Sequence, residues 1–68
     1  MKLSARNKLP GVIERIEADG LTAKVSMRVG DNFIVAVITR ESVDDMELRV
    51  GDKVSAVIKS TSVMLAKE

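Results

Sequence analysis

Leu21-Thr22-Ala23-Lys24-Val25-Ser26-Met27-Arg28-Val29 alternates apolar and polar residues without a break. A period of two belongs to a strand with one face buried, so Leu21, Ala23, Val25, Met27 and Val29 are expected on one side and Thr22, Lys24, Ser26 and Arg28 on the other. Upstream, Val12-Ile13-Glu14-Arg15-Ile16-Glu17 is β-branched and less regular. The intervening Ala18-Asp19-Gly20 carries the Asp-Gly signal of a hairpin turn. Downstream, Gly30-Asp31-Asn32 reads as a second turn into Phe33-Ile34-Val35-Ala36-Val37-Ile38, an unbroken apolar run. Such a run fits a strand covered on both faces. In so short a chain, one face is expected on the core and the other against another subunit.

Past the third strand the texture changes. Thr39-Arg40-Glu41-Ser42-Val43-Asp44-Asp45-Met46 fits one or two helical turns, with Thr39 as N-cap and Glu41 near the positive helix end. Leu48-Arg49-Val50-Gly51-Asp52 reads as a turn, with Gly51 free to adopt positive φ. Lys53–Lys59 forms a fourth strand with Val54, Ala56 and Ile58 inward, Ser60-Thr61-Ser62 a polar break, and Val63–Ala66 a last short strand. Pro10 is expected at the start of the first strand, where a missing N–H is tolerated. The outcome is an all-β chain: a small five-stranded Greek-key barrel of the OB type, with one short helix between strands 3 and 4. An SH3-like barrel or half of a sandwich has a similar strand content.

The chain has 68 residues, of which 46% are apolar and 31% charged. This length holds one domain, residues 1–68, with a thin core, since a domain of this size buries only about 60% of its unfolded surface. Without Cys or His, neither disulfides nor a Cys/His zinc site can add stability, which leaves oligomerisation. Eleven basic against ten acidic residues, net +1, is the wrong balance for a nucleic-acid coat or a polybasic membrane tail. No apolar run approaches a membrane span. The N-terminal Met1-Lys2-Leu3-Ser4-Ala5-Arg6-Asn7 lacks a signal-peptide core, so a cytoplasmic location is expected.

The residue types restrict the chemistry further. Catalysis without His or Cys would fall to Ser, Lys, Asp or Glu, and the adjacent Asp44 and Asp45 do not face each other on a helix. They read as a solvated surface, and no enzyme is expected. Single-strand nucleic-acid binders stack bases on aromatic side chains. Here the only aromatic is Phe33, inside an apolar run.

Two polar segments are left over. Ser4-Ala5-Arg6-Asn7 and Lys59-Ser60-Thr61-Ser62 each combine a cation with hydrogen-bonding groups and contain no acid. A tetrahedral dianion offers only acceptors, so its site must supply N–H and O–H donors. Backbone N–H groups at a helix start, around Ser42-Val43, add to such a set. The same residues also fit a loose tail and an ordinary turn, because hydroxyl-rich turns are common.

Ser4-Ala5-Arg6-Asn7 followed by Gly11, with Lys59-Ser60-Thr61 followed by Val63-Met64, resembles molbindin, the small molybdenum-pterin-binding-protein family. The resemblance extends over essentially the whole chain. The same module closes molybdate-responsive regulators and molybdate ABC-transporter ATPases, but neither a DNA-binding segment nor a P-loop glycine cluster is present here. The resemblance therefore implies a free-standing protein for storage and homeostasis of molybdenum. It also implies an OB barrel, a hexamer built as a trimer of dimers with exchanged N-terminal strands, and molybdate or tungstate held between subunits. Carried over by position, Ser4 and Arg6 match the first ligand segment, Ser42 and the Val43 amide the second, and Lys59 and Ser60 the third. Ala5, Asn7 and Thr61 belong to the same motifs. The chain has no aromatic pocket to stack a pterin, so the bare oxyanion is the expected ligand. The other reading is a structural OB module that docks a protein or a nucleic acid.

Overall fold

The computed structural model describes residues 3–68. Four strands, β1 (Asn7–Asp19), β2 (Thr22–Val29), β3 (Asn32–Thr39) and β4 (Lys53–Ile58), form one antiparallel sheet in the order β3-β2-β1-β4. A six-residue helix, α1 (Arg40–Asp45), joins β3 to β4. This is the expected all-β, OB-type architecture with its helix in the expected place.

The long first strand makes the curl. Its N-terminal half pairs with β4, from Asn7 opposite Ile58 to Val12 opposite Lys53. Its C-terminal half pairs with β2, from Val12 opposite Arg28 to Asp19 opposite Thr22. Where the two halves meet, the register slips between Ile13 and Arg15, leaving Glu14 as the extra residue of a bulge. A bulge bends its strand and sharpens the local twist. Pro10 lies inside β1 rather than at its start, at a position where β1 has β4 as its only paired neighbour.

Gly11 sits at the crossing. A Cβ there would come within 2.3 Å of the Arg28 carbonyl oxygen and 2.8 Å of the Met27 methyl carbon. Only glycine lets β1 pass this close over the end of β2.

The inward face of β2 carries most of the core: Ala23, Val25 and Met27 are buried, together with Ile13 of β1. Leu21 departs from the alternation. Because Asp19 pairs with Thr22, the two-residue hairpin loop is Gly20-Leu21, one residue later than expected, and Leu21 is 87% exposed. In β3 the inward Ile34, Ala36 and Ile38 are half-buried, while Phe33, Val35 and Val37 lie open to solvent.

The fifth strand expected at Val63–Ala66 is not formed. Ser60–Ser62 makes a 3-10 turn instead, closed by the Ser62 amide donating to the Lys59 carbonyl at 2.8 Å. That turn leads the chain off the sheet, and a strand without a ladder partner has no hydrogen-bonding advantage. Met64 and Leu65 are accordingly 92% and 95% exposed.

Candidate functional site

The three candidate segments are placed by the ends of β1. Asn7 pairs with Ile58, and the Asn7 side-chain amide donates to the Ile58 carbonyl at 3.1 Å. Arg6 and Lys59 flank that pair directly. The ladder ends at this rung; one further step would set Arg6 opposite Lys59, and the Lys59 backbone is still extended (φ −64°, ψ 137°). The Ser4–Asn7 and Lys59–Ser62 segments therefore share one end of the β1–β4 ribbon.

Exposure alternates through this end. Ser4, Arg6, Lys59 and Ser60 are exposed, while Ala5, Asn7 and Ile58 are half-buried. Like charges directly opposite one another destabilise a sheet. Neither cation is relieved by an acid: the ion pairs among the described residues are Arg15–Glu17 and Arg28–Glu14. Donors gather beside the two cations. In a 3-10 turn capped at Lys59, the Ser60 and Thr61 amides precede the first internal bond and lack partners within the turn.

Ser42 and Val43 occupy the opposite end of β1. Thr39 ends β3 opposite Thr22, and Thr22 is opposite Asp19 at the C-terminal end of β1. The expected N-cap is formed: Thr39 Oγ1 accepts from the Ser42 amide at 3.1 Å and lies 2.8 Å from Ser42 Oγ. Glu41 occupies the first turn, as expected. The helix closes with two bonds, the Glu47 amide to the Asp44 carbonyl at 3.1 Å and the Leu48 amide to the Val43 carbonyl at 3.0 Å. Glu47 takes the left-handed conformation (φ 52°) that this ending requires. Ser42 and Val43 are thus tied into local hydrogen bonds and are half-buried. Within one chain, the structure brings the first and third candidate segments together and does not bring the second to them.

Two concavities lie elsewhere. An open groove of about 440 Å³ runs along the outer ribbon over Pro10, Val12, Lys53 and Ser55. An apolar cleft of about 340 Å³ lies between the inner faces of β3 and β4, lined by Ile34, Ile38, Val54, Ala56 and Ile58 among others. The cleft has no charge to offer a polar ligand. Among the described residues, no group of three or more His, Cys, Asp or Glu side chains is placed to hold a bare cation. No described helix is long and apolar enough to cross a membrane.

The fold and this arrangement define a small OB-type β-domain with clustered cations and hydroxyl donors at one end of its sheet. The chain matches the TOBE domain over residues 3–65. It is 38% identical to molybdenum-pterin-binding protein 1 of Clostridium pasteurianum, over 96% of this chain and 97% of that protein. The chain therefore belongs to the TOBE domain family and, within it, to the molbindins.

It is also 42% identical over its full length to the molybdenum transport protein ModE of Azotobacter vinelandii, of which it spans 26%. Among solved structures, a molybdate-binding protein from Sporomusa ovata superposes with a TM-score of 0.95 at 40% identity, covering 98% of this chain and 100% of that one.

The sequence reading did not find what Asn7 does. Its side chain stitches the ribbon end shut, and only the β1–β4 register shows that the two cationic segments are neighbours. The signal available beforehand was that both are acid-free and each adjoins a strand.

Proposed function

We propose that this chain binds molybdate, with tungstate as a second ligand, for storage and homeostasis of molybdenum in the cytoplasm. The observation that carries the reading is the Asn7–Ile58 end of the β1–β4 register, which makes chain neighbours of that rung out of Arg6 and Lys59, two cations left without a carboxylate among the described residues. A dianion between them turns a repulsion into two charge-assisted contacts, each worth about 1.5–3 kcal/mol. Ser4 and Ser60 add hydroxyl donors beside the cations. The names of the relatives point to the same ligand class.

The site is completed by a second copy. Ser42 and the Val43 amide, the remaining members of the set, lie at the far end of β1 in their own protomer, so a neighbouring chain has to bring them. The thin core and the open apolar face of β3 support association, and the assembly proposed is a homo-hexamer built as a trimer of dimers. An anion held across the boundary would stabilise that assembly by mass action. The ligand is the bare oxyanion without a pterin, and no catalysis is proposed.

Titration calorimetry with molybdate, tungstate and sulfate, combined with native mass spectrometry, tests the reading. Saturable heat with several anions per oligomer is expected. Heat no larger than a buffer blank, or a stable monomer indifferent to these ions, overturns it.

A second reading has one observation in its favour. The exposed row Phe33, Val35 and Val37 on an edge strand suits an interaction module that docks another protein. Nucleic acid has less to hold, because the Phe33 ring lies under the Arg28 guanidinium at 4.6 Å. Oligonucleotide retention without any response to oxyanions would favour the docking reading.

A further inference from the structure

Nine of the ten carboxylates lie between Glu14 and Asp52, and residues 1–13 and 53–67 contain none. The fold pairs residues 7–12 of the first with residues 53–58 of the second as the β1–β4 ribbon: Lys8 is opposite Val57, Pro10 opposite Ser55 and Val12 opposite Lys53. Partners in register share a face. The exposure pattern of the two segments puts Arg6, Lys8, Lys53 and Lys59 on the outward one.

Acids bound this ribbon at one end only. Asp52 precedes Lys53 and accepts the Arg49 amide at 2.9 Å. Glu14 follows the Val12 end and is held 2.6 Å from Arg28 Nε. The other end carries Arg6 and Lys59 with no carboxylate. The potential therefore becomes more positive from the Val12–Lys53 rung toward the Asn7–Ile58 rung.

We propose that the outer ribbon guides small dianions to the Arg6–Lys59 end, and that Lys8 is its main guiding charge, raising the capture rate without coordinating the ligand. The inference rests on the anion-binding reading above. Surfaces of one sign raise the local concentration and association rate of oppositely charged ligands. Lys8 stands two residues from Arg6, about 7 Å along a strand. That is within the Debye length of about 8 Å at physiological ionic strength. Lys53 has Asp52 beside it, which cancels much of its field and ranks it below Lys8.

The test measures uptake of radiolabelled molybdate by rapid filtration across a range of ionic strengths, with release followed by an unlabelled chase. The proteins compared are the parent chain, Lys8→Gln, Lys8→Arg and Lys53→Gln, each checked for its β-sheet spectrum. Lys8→Gln is expected to slow uptake about three- to fivefold at low salt, from one unit charge acting on a dianion at this range. Release is unchanged, and the deficit closes as salt is added. Lys8→Arg keeps the parent rate, and Lys53→Gln loses less than Lys8→Gln. Uptake independent of salt and of Lys8, or a Lys8→Gln effect on release instead, overturns the guide while leaving molybdate binding intact. A parent chain that retains no molybdate overturns the binding reading as well.

Discussion

On the β1–β2 half of the sheet, cations meet acids of their own chain: Arg28 Nε lies 2.6 Å from Glu14 and Arg15 Nε 2.9 Å from Glu17. On the β1–β4 half, Arg6, Lys8 and Lys59 share an outward face and have no such partner among the described residues. The difference lies in what each half leaves unfinished. The first half pairs Arg15 and Arg28 with acids, and the adjoining β3 leaves apolar surface open at Phe33, Val35 and Val37. The second leaves Arg6, Lys8 and Lys59 without ion pairs among the described residues, with Val12 and Val57 partly exposed between the cations. On the proposed function, the first surface suits another protein chain and the second supplies the cations for a small anion.

The two halves join at Gly11, and breaking that joint should have the largest effect. Gly11→Ala places a methyl 2.3 Å from a backbone oxygen, which cannot swing aside as a side chain could. A loss of about 3 kcal/mol, at the upper end of overpacking costs, is expected in urea unfolding. Stability unchanged within error would mean that β1 crosses β2 less closely than described.

Next comes the charged half alone. Arg6→Ala or Lys59→Ala should weaken molybdate binding about tenfold to a hundredfold, the equivalent of one charge-assisted contact. Both side chains are exposed, so thermal unfolding of the ligand-free protein should hardly move. The apolar half is probed by Val37→Asp. Removing a valine from an interface and inserting a charge costs at least about 1.5 kcal/mol per site. Native mass spectrometry should then show smaller oligomers. If Val37→Asp leaves the subunit count unchanged, association uses another surface and the division of labour between the halves is wrong.

How much of this the amino-acid order reveals depends on the range of the interaction. The β2 alternation, the Thr39 cap and the turns at Gly20, Gly30 and Gly51 are local, and each was legible from a few neighbouring residues. The Gly20-Leu21 loop shows the limit: the Asp-Gly signal placed the hairpin, but pairing of Asp19 with Thr22 decided its register and turned Leu21 out to solvent. Val63–Ala66 has strand composition without a strand, because composition says nothing about whether a ladder partner is within reach. The site behaved similarly. Its residue types pointed to an oxyanion, but nothing within Ser4–Asn7 or Lys59–Ser62 says that they adjoin. That depends on pairings more than fifty residues apart in the chain, such as the Asn7 amide on the Ile58 carbonyl.

The smallest effect is the sharpest test of the comparison, because its sign is unusual. If Arg6 and Lys59 repel in the absence of ligand, removing one charge while keeping the apolar stem should stabilise the empty protein. Lys59→Met retains most of the side-chain volume and drops the ammonium. A gain of about 0.2–1 kcal/mol is expected, the range for cross-strand pairs, and it should shrink as salt screens the repulsion. Saturating molybdate should reverse the order, because the parent chain then gains binding energy that the variant has lost. The matching change on the other half, Glu14→Gln, should cost no more than about 1 kcal/mol, as for other exposed ion pairs, and leave molybdate affinity untouched. Thermal unfolding of parent, Lys59→Met and Glu14→Gln, with and without molybdate, reads both signs in one set of measurements. A Lys59→Met protein that is less stable than the parent even without ligand would mean that the two cations are not in conflict, and the charge argument for the site would fail.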